Sequence, residues 1–489
     1  MIRHFVPALL VATALSGAAC AAPQLRDDAN TVSFASTDDD KADNASADTA
    51  ATLPECASPL MRDIFAATAN LIGRGSIPAS HYVTERNAAD AMPLIDGPEI
   101  FPAFRELIAS AQHHVVLQTY IWESGSDPAN DILEGLVELD QRRALEAPDA
   151  GPVMVRFMAD ASRLGFGSSK SDLEQLLHDV ESLHLDPNHV DFELAGFFHL
   201  AFGNLHVKTL VVDGYEAILT GANPEAHHND DAPWRDAGYR FHGDVALALL
   251  ADFDNAWRKA KPCFFDNADF YCEGATTDGA PQTYHVGDHP VGETACVPMM
   301  VVTRAADANP FSNRTDNTQD QAFLAAFGHA ARRIRLQTPN LNDDDAKEAL
   351  LDAVRRGVEV DILLSREFND SSENLPGQGG TNQENVDALY EELANSGIEN
   401  ACDLLRVRWY SHDGVQAVYG MGTYASHAKY ASIDESLAIV GTANMDTQSW
   451  NNSREVDVVV DSQELALAWD ARLFVPEFER ALSASPCAR

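Results

Sequence analysis

Residues 427–455 read HAKYASIDESLAIVGTANMDTQSWNNSRE, and the spacing of the polar groups in this stretch decides how the chain is read. His427, Lys429 and Asp434 stand at its first, third and eighth positions; an apolar run leads to Gly441-Thr442-Ala443-Asn444, and an acid follows at Glu455. In an extended segment side chains alternate faces, so His427 and Lys429 point the same way, about 6.5–7 Å apart. A neutral imidazole beside a fixed ammonium suits phosphate-ester chemistry. The imidazole attacks phosphorus or shuttles a proton near neutral pH, and the ammonium holds phosphoryl oxygens. Standing alone, the stretch could equally be a strand that happens to carry a His and a Lys.

A second copy removes that alternative. His206 to Asp213 reads HVKTLVVD, with Lys208 and Asp213 at the same spacing, and GYEAILTGAN follows. Asn223 lies seventeen residues after His206, as Asn444 does after His427.

These segments resemble the paired HxKxxxxD motifs of the phospholipase D superfamily, the later one closely through GTANMD and the following SRE. The family pattern has Gly three residues before the Asn, as at Gly441, whereas the first copy carries Thr220 there and Gly221 one place later. The resemblance covers roughly residues 90–480. It implies two α/β/α sandwich halves about a pseudo-twofold, with one active site at their joint. It further implies His206 as nucleophile and His427 as acid/base, an order the residues themselves leave open. Lys208, Lys429 and the amides of Asn223 and Asn444 would bind the non-bridging oxygens, where donors matter most as charge grows in the transition state. Glu455 resembles the acid that fixes the tautomer of a catalytic imidazole. For the first half the matching acid is Asp236, in PWRDAGYRF, with a loop carboxylate as the alternative. Asp213 and Asp434, at strand ends away from the His–Lys face, are expected to support turns. Two histidines let one become a phosphohistidine while the other protonates the leaving alkoxide and then activates the acceptor. This chemistry requires no metal and no cofactor. His227-His228 with Asp230-Asp231 reads as a loop, because adjacent side chains point apart.

The fold class read from the pattern is likewise α/β. From residue 56, helix-like PAFRELIASA, strand-like HHVVLQTYIW, helix-like DILEGLVELDQRRAL and strand-like VMVRFMAD alternate, and VPMMVVTR, QAFLAAFGHAARRIRLQT and AKEALLDAVRRGVEVDILL repeat the order from residue 297. Leu117-Gln118-Thr119 and Leu336-Gln337-Thr338 are offset by 219 residues and the two histidines by 221, which indicates one α/β unit present twice. The expected organisation is a first half at 56–261, a connector at 262–296 carrying cysteines and pinned by Cys263 with Cys272 or Cys296, and a second half at 297–489. The apolar run Gly196–Phe202, leading into His206, fits either an acyl-chain groove or ordinary packing.

Ahead of the halves, residues 1–20 (MIRHFVPALLVATALSGAAC) have a secretory leader pattern, with Cys20 resembling a bacterial lipidation site. Residues 21–55, rich in Asp, Ala, Ser and Thr, read as a flexible acidic tether. Setting Cys20 aside, six of the seven cysteines remain, allowing up to three disulfides in an exported chain. The expected location is therefore the periplasm or outer membrane as a lipoprotein, or secretion. A net charge of −41 over 489 residues disfavours a broad nucleic-acid footprint and charge-driven adsorption to anionic membranes.

The functional expectation is a metal-independent phosphodiesterase or phosphatidyltransferase on glycerophospholipids, of phospholipase D type, working as a monomer on phospholipid at a membrane surface. Cardiolipin or phosphatidylserine synthase chemistry is the alternative within that class, set second because cardiolipin synthases generally bring membrane helices. A secreted nuclease and an inactive envelope binding protein are the other readings. Acidity argues against the former, two intact His–Lys pairs against the latter.

Overall fold

Two sheets repeat one strand order. In the first, Val190–Phe198, Val153–Ala161, His114–Thr119, Thr209–Val212, Glu216–Thr220 and Ala237–Gly243 lie side by side. In the second, the matching run is Leu405–Trp409, Glu359–Leu364, Arg333–Thr338, Tyr430–Ile433, Leu437–Gly441 and Glu455–Val460. The first two pairings of each run are parallel and the rest antiparallel. The chain is thus two α/β halves of one topology. The computed structural model describes residues 31–34, 51–146, 150–161, 168–199, 202–276, 282–286, 296–309, 311–398 and 400–485. The expected leader lies outside them, as do Leu200 and Ala201 of the apolar run before His206.

The central strands are buried on both faces, as a sheet with helices on both sides requires. On the outer face of the first sheet, Gly97–Ser110, Asp127–Glu146 and Lys170–Ser182 pack Phe104, Leu136 and Leu176 against Val115, Val155 and Leu194. Local chemistry sets the helix starts. Ser169 with Asp172 and Thr381 with Glu384 form reciprocal capping boxes. On the inner face, the helix Asp244–Trp257 is buried almost throughout. It carries Val245, Leu249 and Phe253 into a core cluster that continues to Val301, Ile439 and Val458 of the second half. One apolar core therefore holds the joint.

Asp213 and Asp434 end the strands that follow the two His–Lys segments, each at positive φ (51° and 54°). Asp213 accepts from the backbone N–H of Gln112, His113 and His114 at 2.8–2.9 Å, and Asp434 from Ala331, Arg332 and Arg333 at 2.7–2.9 Å. Each carboxylate thus caps the first N–H groups of the neighbouring strand, Asp213 inside the first half and Asp434 inside the second.

The structure departs from expectation at three places. Within the segment read as a flexible tether, Thr31–Val32 pairs with Tyr284–His285, and Phe34 is buried against His81 and Tyr284. Much of the described connector belongs to the first sheet: Lys261–Asp266 and Asp269–Cys272 extend it beyond Val190–Phe198, closed by the Cys263–Cys272 disulfide. Cys296 bonds instead to Cys56, across a separation of 240 residues, and Cys402 is also in a disulfide. Phe197 of the apolar run is a core residue, and Phe198 lies half-buried under Lys261. Among the described residues no helix is long and apolar enough to cross a membrane.

Asp213→Ala leaves three strand-initiating N–H groups without their acceptor. We expect a loss of about 3 kcal/mol in urea unfolding, the scale of charged hydrogen bonds to buried donors.

Candidate active site at the joint of the halves

Ladder pairing of the motif strands begins only at Thr209 and Tyr430. The His–x–Lys segments just before them, expected to be strand, pair with the opposite half instead. His206 N–H donates to Arg454 O at 3.0 Å, and Arg454 N–H to Asn204 O at 2.7 Å. Symmetrically, His427 N–H donates to Arg235 O at 2.8 Å, and Arg235 N–H to Ala425 O at 2.8 Å. The residue after each of these arginines is an acid, so each half brings its acid to the other half's histidine.

His206 Nδ1 lies 2.9 and 3.0 Å from the two oxygens of Glu455, and His427 Nδ1 lies 2.8 Å from Asp236 Oδ2. Glu455 and Asp236 were both expected to serve imidazoles; the crossing between halves was not foreseen. A carboxylate accepts only, so each ring donates from Nδ1, leaving the Nε2 lone pair available. Burial holds both imidazoles well below the usual histidine range, and Lys208 and Lys429 push both in the same direction. Each ring therefore feels both ammonium groups, which puts the four side chains in one site.

Lys208 Nζ donates to His206 O at 2.8 Å, and Lys429 Nζ to His427 O, so each ammonium folds back onto its own motif. Both are buried, with N–H groups left over for an anion. Burial lowers Lys208 to about 7 and Lys429 to about 8, against the opposing pull of Glu455 and Asp236. The two asparagines match as well: Asn223 Nδ2 donates to Glu225 at 2.9 Å and Asn444 Nδ2 to Asp446 at 2.8 Å. An acid two residues on thus orients each amide. Burial raises Glu225 to about 7 and raises Asp446.

Several site residues escaped the sequence reading. Thr442 and Ser449 hydroxyls donate to the Glu455 oxygens at 2.6 and 2.7 Å. With His206, three donors converge on that carboxylate and favour its ionised form, while burial pushes its pKa up. Tyr120 stands edge-on to His206, ring centroids 5.0 Å apart, with Lys208 Nζ 5.1 Å from its centroid. Phe368 stacks on His427 at 5.6 Å, and Trp234 is 5.7 Å from the same ring. His227 lies on Trp234, while His228 is buried beside Asp236 and His427, so half of the pair read as a loop reaches the site. The altered order Thr220-Gly221 also has a reason. A Cβ on Gly221 would come within 2.3 Å of Asp236 Oδ1, so the glycine stands where this half's carboxylate lies.

The chain is similar in sequence to curated proteins and in fold to a solved structure. The family model described as "Cardiolipin synthase, PLD-like domain" matches residues 323–473. The probable cardiolipin synthase YwiE of Bacillus subtilis (strain 168) is 24% identical over 419 residues, 84% of this chain and 70% of that protein. The cardiolipin synthase of Alkalihalophilus pseudofirmus is 23% identical over 383 residues, 76% of this chain and 62% of that protein. The chain thus spans about two thirds of the length of these curated relatives. In fold, it is similar to the phosphatidylserine synthase of Haemophilus influenzae Rd KW20, with a TM-score of 0.58 at 13% identity, covering 86% of this chain and 92% of that one. Fold and paired motifs together define an enzyme of the phosphodiesterase/phosphatidyltransferase class. In its paired motifs and in sequence, the chain is similar to members of the phospholipase D superfamily.

The lowered lysines predict how anion binding responds to pH. A lysine whose folded pKa is depressed is charged below that value and neutral above it. Affinity for orthovanadate, measured by calorimetry on the whole protein, should therefore fall as pH rises through about 7–8. A loss of roughly tenfold or more is expected, the worth of one charge-assisted hydrogen bond.

Proposed function

We propose that this chain is a phosphatidyltransferase of the cardiolipin synthase type, moving a phosphatidyl group from one glycerophospholipid to an alcohol acceptor. The observation that carries the reading is the crossed pair of carboxylate-held imidazoles beside two buried ammonium groups. Water as acceptor would give phospholipase D hydrolysis by the same machinery, which the sequence reading preferred. The cardiolipin synthase relatives shift the weight to transfer.

His206 Nε2 attacks phosphorus, forming a P–N bond as the P–O bond to the leaving alkoxide breaks. His427, uncharged in the free site, takes up a proton on Nε2 as the phosphate anion binds beside it and gives that proton to the alkoxide. It then takes a proton from the incoming alcohol, whose oxygen attacks phosphorus and releases His206. With phosphatidylglycerol as donor and acceptor, the products balance as cardiolipin and glycerol. Lys208 and Lys429 hold the non-bridging oxygens, and Asn223 and Asn444 line the same site. Their Nδ2 groups each already donate to an acid, so their contact with phosphate is an additional hydrogen bond and not their sole one.

The compartment proposed is the cell envelope outside the cytoplasm. The leader pattern supports it, as do the Cys56–Cys296 and Cys263–Cys272 disulfides, a bond type that persists in oxidising compartments.

The purified protein with phosphatidylglycerol vesicles should release glycerol and form cardiolipin. Phosphatidate as the only lipid product would point to hydrolysis, and no conversion would overturn the reading. His206→Ala and His427→Ala should each abolish turnover in folded protein. Glu455→Gln should lower kcat by about 10²–10⁴-fold with KM little changed, the scale for losing the carboxylate that orients a catalytic imidazole.

A further inference from the structure

The two imidazole–carboxylate pairs differ in how the carboxylate is held. Thr442 and Ser449 lie fifteen and twenty-two residues after His427, and both donate to Glu455. The residues at the same distances after His206 are Gly221 and His228. The sheets support this matching. Thr220 and Gly441, each fourteen residues after its histidine, pair with Gly238 and Asp457, placing Asp236 and Glu455 at equivalent positions two residues earlier.

Asp236 consequently lacks the hydroxyl that residue 442 gives its counterpart. Its oxygens are met by His427 Nδ1 at 2.8 Å and by the N–H of Ala237 at 2.9 Å. At the place of Ser449 stands His228, wholly buried, with neither ring nitrogen partnered among the described residues. Its Nδ1 is 3.9 Å from Asp236 Oδ2, and its ring is 5.8 Å from that of His427. The titratable and charged groups facing it are Asp236, Glu225, His427, His227 and Lys429, and of the two carboxylates Asp236 is the nearer. Trp234 stands edge-on to the ring at 5.5 Å. Asp is one methylene shorter than Glu, and His reaches further than Ser. The lengths are complementary: long acid with short donor in one pair, short acid with long donor in the other.

We propose that His228 is a positioning residue for His427: its Nδ1–H turns onto Asp236 and supplies the donor that Ser449 supplies to Glu455. Closing the remaining gap of about 1 Å is a ring rotation of the kind by which apo active-site hydrogen bonds tighten in the substrate complex. An imidazole buried without partners is otherwise a standing cost that this contact relieves. The inference rests on the two-histidine function proposed above.

The test compares wild type with His228→Ala, His228→Gln, Asp236→Glu and the double variant His228→Ser/Asp236→Glu, which rebuilds the other half's pair. Thermal melts of each variant separate unfolding from mispositioning. In histidine-selective NMR of the whole protein, exchange of the His427 Nδ1 proton with water should quicken about tenfold in His228→Ala and recover in His228→Gln and in the double variant. On phosphatidylglycerol, kcat should fall about tenfold in His228→Ala with KM within about twofold, hold within about threefold in His228→Gln, and be higher in the double variant than in either Asp236→Glu or His228→Ala. Wild-type exchange and kcat in His228→Ala would overturn the inference, as would a folded double variant no better than the worse single one. A wild-type protein inactive on phosphatidylglycerol would overturn the proposed function instead, and the exchange measurement would still decide the role of His228.

Discussion

Four main-chain hydrogen bonds hold the site together: His206 to Arg454, Arg454 to Asn204, His427 to Arg235, and Arg235 to Ala425. They bind the segment carrying each histidine to the segment carrying the opposite half's acid. The arginines that make them are anchored at their far ends. The Arg454 guanidinium is buried against Asp252, itself bonded to Ser76 and Gln118, and Arg235 lies between Asp96 and Glu477. Breaking such a buried pair leaves an uncompensated charge, so both arginines resist relative sliding of the halves. The site therefore belongs to the joint, and neither half contains a complete imidazole–carboxylate pair.

The same joint explains how a strongly acidic chain can handle a phosphodiester. Net charge acts at long range and is screened, whereas two ammonium groups within a buried site act at contact distance. Glu225, Asp446, Asp457, Glu455 and Asp236 surround them, all with carboxyl pKa values raised by burial. The two ammonium groups are thus set among carboxyl groups within the same buried site, Glu455 being held by three donors that favour its ionised form. Tyr120, Phe368 and Trp234 add aromatic surface beside the two imidazoles.

Duplication made much of this legible in advance. Two copies of one spacing identified both His–Lys pairs, both asparagines, the repeated α/β unit and the strand-end acids, because strand alternation and turn chemistry act over a few residues. Glu455 and Asp236 were found as acids but not as crossed partners. Thr442 and Ser449 sat inside the quoted stretch unread, since a hydroxyl carries no signal until the carboxylate it serves is located. His228 was discounted because neighbouring side chains usually diverge; here they do not, the His227 and His228 rings lying 4.9 Å apart with both against Trp234, and His228 reaches the site. The short strand at Thr31–Val32 was hidden by its polar surroundings.

What the sequence by itself determined was a set of local distances: imidazole to ammonium, histidine to asparagine, histidine to strand-end acid. Those follow from chain geometry and hold in either half alone. Only the tertiary structure decided which carboxylate meets which imidazole and which aromatic rings flank them. The imidazole–carboxylate contacts join residues some two hundred positions apart, and their partners are selected by how two apolar faces dock into one core, a choice that no spacing along the chain encodes.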